Sequence, residues 1–139
     1  MMAKAKAKAR AANKLKKITP VLMVDAVEPC IPFWEKVGFK KTAEVPEGDR
    51  LGFVILEKDG LEVMYQTQAS VQGDIPTLAS SPMGGTFLFV EVTDLDAVIA
   101  QVGNAPQVFA RRKTFYGTDE IGVREPGGNA VTFAMMVAE

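Results

Sequence analysis

Acid–base and metal chemistry near neutral pH usually runs through histidine, and this chain has none. Ser-His-Asp and Cys-His arrangements, His-based zinc sites and the two-His-one-carboxylate iron site are therefore excluded. A carboxylate-only Mg or Ca site remains open, but no stretch resembles an EF-hand loop or a phosphate-binding glycine loop. Cys30 is the single cysteine. It has no partner for an internal disulfide and no imidazole to activate it, so it reads as packing in a reducing, cytoplasmic setting. The residues left to do chemistry are carboxylates and guanidinium groups. Glu62 and Glu91 stand in apolar runs, where burial can push a carboxyl up towards the range of a general base, and Arg50 and Arg124 can face them.

The formal net charge of −1 hides an asymmetry. Residues 1–17 carry seven Lys/Arg and no acid, which leaves nine basic against seventeen acidic residues in the remainder, a charge of −8. The Lys-Ala alternation of 1–17 makes neither a helical stripe nor a strand core, so this segment reads as a disordered basic tail. Nucleic-acid binding is its sharper reading, but no aromatic residue is interleaved and the body behind it is acidic. That body favours a cationic ligand. No apolar run approaches the roughly 18 residues of a spanning helix, so no membrane partner is expected.

The elements that position these side chains come twice. Residues 18–24 read as a strand and 25–37 as a short helix whose first turn accommodates Pro29 and Pro32. Strands follow at 39–46, 50–57 and 61–68, the last two joined by Lys58-Asp59-Gly60. The second half repeats the order: a strand at 86–92, a helix over 95–102 opened by Thr93-Asp-Leu-Asp96, and strands at 106–113, 119–125 and 129–137. Val24 and Val92, Gly60 and Gly128, and Val63 and Val131 each lie 68 residues apart. Asp49-Arg-Leu-Gly52 is echoed by Asp119-Glu-Ile-Gly122 at an offset of 70. The fold class is α+β, with two tandem βαβββ modules (18–68 and 85–137) in one domain spanning 18–137.

Thr19-Pro-Val-Leu, Phe33-Trp34-Glu-Lys-Val-Gly38-Phe39, Phe115-Tyr116-Gly117 and Glu125-Pro-Gly-Gly-Asn129 resemble the vicinal oxygen chelate superfamily of glyoxalases, extradiol dioxygenases and bleomycin-resistance proteins. The resemblance is strongest to the bleomycin-resistance branch. It implies curled mixed sheets around a cavity, and homodimers. In metal-dependent members the ligands would stand at Thr19, Met64, Phe87 and Thr132, none of them an ordinary ligand, so the resemblance implies a site without metal or other cofactor. That branch also places a drug-stacking aromatic at Tyr116 and an aromatic where this chain has Arg50.

If position 19 faces the cavity, strand alternation brings Val21, Met23, Glu62, Met64, Gln66, Phe87, Phe89, Glu91, Thr132, Ala134 and Met136 with it. The same reading adds Arg50, Val54, Glu120 and Arg124. The expected ligand-binding set is Arg50, Glu62, Met64, Phe87, Phe89, Glu91, Tyr116, Arg124 and Thr132. Two ion pairs, Arg50 with Glu120 and Arg124 with Glu62, are conceivable there. Such an apolar, aromatic cup suits sequestration of an aromatic or cationic small molecule such as an antibiotic. The alternatives are a metal-independent lyase or isomerase using Glu62 or Glu91 as base, and a dimeric regulatory module that uses its basic tail.

Overall fold

The computed structural model describes residues 12–137. Most of the basic tail lies outside the described residues; within it, 12–17 are exposed and carry no regular secondary structure. The first module comprises β1 (Val21–Val24), a 3-10 turn (Glu28–Cys30), α1 (Ile31–Lys36), β2 (Lys40–Glu47), β3 (Arg50–Lys58) and β4 (Leu61–Thr67). The second comprises β5 (Phe87–Glu91), a helix at Leu95–Val102, β6 (Gln107–Lys113), β7 (Thr118–Arg124) and β8 (Ala130–Met136). Between them lie α2 (Gln68–Asp74) and a second 3-10 turn (Pro76–Leu78), which makes the helix at 95–102 α3. The sheets run β1-β4-β3-β2 and β5-β8-β7-β6, each with one parallel pair and two antiparallel ones. The expected α+β fold of two βαβββ modules is the fold observed.

Local chemistry accounts for the element ends. Pro29 and Pro32 each sit in the first turn of a short helical segment, where a missing N–H breaks no intrahelical bond. Gly38, at φ 99°, ends the first helical stretch in a conformation that suits glycine. In α3 the cap is Asp94 rather than Thr93: its carboxylate accepts from Ala97 N at 3.1 Å. The helix α2 has no counterpart among the expected elements. Its cap is Thr67, whose hydroxyl accepts from Ser70 N at 3.0 Å.

The repeat of 68 holds in the parallel pairs. Val21 pairs with Met64 and Phe89 with Thr132; Leu22 pairs with Tyr65 and Val90 with Phe133. The offset of 70 does not hold. Phe53 pairs with Gln66 as Glu120 pairs with Ala134, so β3 and β7 correspond at 67. The cause is one residue in a turn. Asp59 and Gly60, at φ 54° and 79°, make a two-residue turn between Lys58 and Leu61. Pro126-Gly127-Gly128 make a three-residue connection closed by Glu125 N to Asn129 O at 2.9 Å. Since alternate residues face opposite sides, an odd offset reverses the faces of β3 relative to an even one. Val54 therefore points away from the cavity side and is fully buried in the core.

Both sheets turn one face to a shared core. Leu22, Leu56, Val63 and Tyr65 of the first and Ile121, Val123, Val131 and Phe133 of the second pack with Phe33 and Trp34 of α1 and Leu95, Val98 and Val102 of α3. The ring of Phe33 stacks on Phe133 of the other module at 6.4 Å. The opposite faces stay open, and Phe87, Phe89 and Met136 are 84%, 59% and 54% exposed there. Among the described residues no helix is long and apolar enough to cross a membrane.

Candidate functional site

The open faces carry most of the expected ligand-binding residues. On the first sheet Met64 lies half-buried between its strand partners Val21 and Ile55. On the second, Phe89 pairs with Thr132, and Phe87 stands one alternation further along β5. Where the two modules adjoin, Glu62, Phe89 and Glu91 line one cleft of about 520 Å³, with Trp34 and Lys17 also on its walls. Three of the expected residues are thus brought together, and aromatic surface lies beside two carboxylates.

Glu62 is held charged. Lys17 Nζ stands 3.0 Å from one carboxylate oxygen, and Thr19 Oγ1 donates to the other at 2.9 Å. The Lys17 ammonium and the Thr19 hydroxyl together keep the carboxyl below its ordinary range. This is the reverse of the rise that a general base near neutral pH requires, and it corrects that expectation for Glu62. The conceivable Arg124–Glu62 pair is replaced by Lys17–Glu62, and Arg50–Glu120 by Arg112–Glu120 at 2.9 Å.

Arg50 is not brought to this face. It starts β3 opposite Glu47, on the same side of the strand as Val54, and its guanidinium donates to Asp25 O at 3.3 Å. The one-residue difference between the turns is the reason. Arg124 keeps the expected strand face by pairing with Ala130, but its Nη1 donates to Gly128 O at 2.7 Å.

Tyr116 belongs to a cluster that pattern reading missed. Glu120 is buried completely on the open side of β7. Its carboxylate accepts from Thr118 Oγ1 at 2.8 Å, Tyr116 Oη at 2.9 Å, and Arg112 Nε and Nη2 at 3.0 and 2.9 Å. Burial opposes the charge, yet the bonds from Thr118, Arg112 and Tyr116 outweigh it and hold the carboxyl below its ordinary range. The Arg112 guanidinium also lies over the Phe109 ring, 3.9 Å from its centroid. Phe115, fully exposed, meets Tyr116 edge to face at 5.2 Å. The Arg112/Glu120 spacing across the β6–β7 hairpin was the available signal.

A metal does not fit the four positions that the family resemblance points to. Thr19 spends its hydroxyl on Glu62, Phe87 offers no donor atom, and Met64 and Thr132 supply only a thioether and a hydroxyl. Among the described residues no group of three or more Cys, Asp or Glu stands close enough to hold an ion.

No family model and no curated protein matches the chain. Solved structures do. TioX from Micromonospora sp. ML1 is similar at a TM-score of 0.72 and 17% identity, over 88% of this chain and 99% of that one. A glyoxalase/bleomycin resistance protein/dioxygenase from Nocardioides gives 0.66 and 16%, over 96% and 90%. The bleomycin-binding protein from bleomycin-producing Streptomyces verticillus, solved in complex with copper(II)-bleomycin, gives 0.58 and 24%, over 92% and 100%. The chain thus shares the fold of these bleomycin-binding and glyoxalase/bleomycin resistance protein/dioxygenase structures.

Proposed function

We propose that the chain binds and sequesters a small aromatic or cationic molecule, such as an antibiotic, without a metal, in a cup that a second copy completes. The observation that carries this reading is the open face of the second sheet, where Phe87 and Phe89 are 84% and 59% exposed beside Glu91. Surface that apolar is costly to leave in water, and a planar ligand or a second protomer removes the cost. The nine residues are not equal contributors. Phe87, Phe89, Met64 and Thr132 form the apolar floor, and Glu62 and Glu91 attract positive charge. Tyr116 offers a stacking surface held by Glu120, Arg124 sits at the margin, and Arg50 lies outside the cup. A cytoplasmic location suits a chain whose one thiol is free and buried.

Sequestration is favoured over a lyase or isomerase based on Glu62, because Lys17 and Thr19 already engage both of its carboxylate oxygens. The test is calorimetric titration with bleomycin-type and other planar cationic antibiotics, beside sedimentation of the free protein. Saturable binding weakened by Phe89→Ala, and a dimer broken by Phe87→Arg, are expected. No binding by any of them, or turnover of the bound compound abolished by Glu91→Gln, would overturn the reading.

A further inference from the structure

The cleft where the modules adjoin already holds a cation, and the chain itself supplies it. Two carboxylates, Glu62 and Glu91, and one ammonium, Lys17, stand on its walls. The two acids are not equivalent. The Glu62 side chain is recessed, at 8% exposure, whereas Glu91 is exposed and makes no ion pair among the described residues. Attraction between charges grows as water is excluded, so the recessed carboxylate is the stronger anchor for a cation.

That anchor is taken, but loosely. Lys17 Nζ lies 3.0 Å from one Glu62 oxygen, while Thr19 Oγ1 donates to the other at 2.9 Å. Little else holds the occupant in place. The Lys17 side chain is 55% exposed, residues 12–17 have no regular secondary structure, and Ile18 beside it is 92% exposed. Releasing Glu62 therefore costs Lys17 its ion pair and little packing. A cationic ligand with its apolar body along Phe89, on the same cleft, meets the same carboxylate.

We propose that Lys17 is a built-in competitor of the ligand: a protonated amine on the bound molecule replaces the Lys17 ammonium at Glu62. This rests on the reading of the cup as a ligand site, and it gives the end of the basic segment a part in setting affinity. The exchange is close to balanced. One ammonium–carboxylate contact replaces another and Thr19 keeps its bond, so Lys17 weakens amine binding without blocking it. A half-exposed pair of this kind corresponds to about two- to fivefold in affinity.

The probes are 2-naphthylmethylamine, protonated at neutral pH, and 2-naphthalenemethanol, its neutral counterpart, titrated calorimetrically into the full chain. Lys17→Met keeps the apolar stem and should tighten the amine about two- to fivefold while leaving the alcohol unchanged. Lys16→Met removes the same charge one residue away, where no ion pair is made among the described residues, and should change neither. In a Glu62→Gln background the gain from Lys17→Met should vanish, which isolates the pairwise contact. In the ¹³C-labelled parent the Glu62 carboxyl signal should move with the amine and not with the alcohol. An amine indifferent to Lys17→Met would overturn the proposal and leave the cup standing, provided that Phe89→Ala weakens the alcohol. Equal gains from Lys16→Met, or equal tightening of the alcohol in Lys17→Met, would also overturn it. Binding of neither probe, in the parent or in Lys17→Met, would remove the cup and the competitor together.

Discussion

Tyr65 of the first module donates its phenolic proton to the carboxylate of Glu125 in the second, and both residues are buried. The bond sits in a chain. Trp34 Nε1 donates to Tyr65 Oη at 2.8 Å, and the other Glu125 oxygen accepts from Asn129 N at 2.6 Å. Burial, with the Glu125 charge beside it, pushes the Tyr65 phenol above its ordinary range, so the hydroxyl stays a donor.

Tyr65→Phe should therefore cost about 1–3 kcal/mol, because it strands a buried carboxylate oxygen and an indole N–H together. Urea unfolding with an unchanged slope would register this as a shifted midpoint. A variant as stable as the parent would mean that water replaces the phenol.

Gly122 is a place where a methyl group cannot go. A Cβ there would come within 2.3 Å of the Phe109 ring, the ring on which Arg112 rests. Gly122→Ala should destabilise by about 1–3 kcal/mol through forced displacement of that ring. Gly85→Ala, with open space around its Cβ, should stay within about 0.5 kcal/mol of the parent. Paired thermal melts would separate the two.

Burial, aided by Glu125 and Glu28, pushes the Cys30 thiol up from 9.0 to about 12. The native protein should thus resist an aromatic disulfide reagent at pH 8 and react fully in urea. The unfolded chain gives up this proton first, so the Cys30 contribution to stability should decline as pH rises from 9.0 towards about 12. Cys30→Ala should flatten that part of the profile.

Glu62 gives the opposite sign. Its folded-state carboxyl lies below the ordinary range because of Lys17 and Thr19. Its stabilising contribution is therefore present above the unfolded value and lost as pH falls through the folded one. Carbon-detected titration should show Glu62 ionising at higher pH in Lys17→Ala than in the parent. A parent midpoint near neutrality would instead restore Glu62 as a candidate base.

Much of the fold was legible because it rests on local pattern. Apolar alternation marked the strands, Asp94 and its neighbours marked the start of α3, and the repeat of 68 carried into the pairing of β1 with β4 and β5 with β8. The helix α2 was not legible: Gln68–Asp74 has one buried apolar residue, Val71, and too short a period to stand out. The Glu120 cluster escaped for a related reason, since Arg112, Tyr116 and Thr118 meet only once the β6–β7 hairpin is closed.

The absence of histidine and the duplicated modules were determined by the sequence alone. Composition and periodicity need no partner element to be read. Which way β3 faces was decided only in the tertiary structure. The turn at Asp59-Gly60 is one residue shorter than the turn at Pro126-Gly127-Gly128, and strand pairing converts that single residue into a reversal of faces. Val54 went into the core and Arg50 left the cup, while Glu120 stayed on the open face among donors that bury its charge.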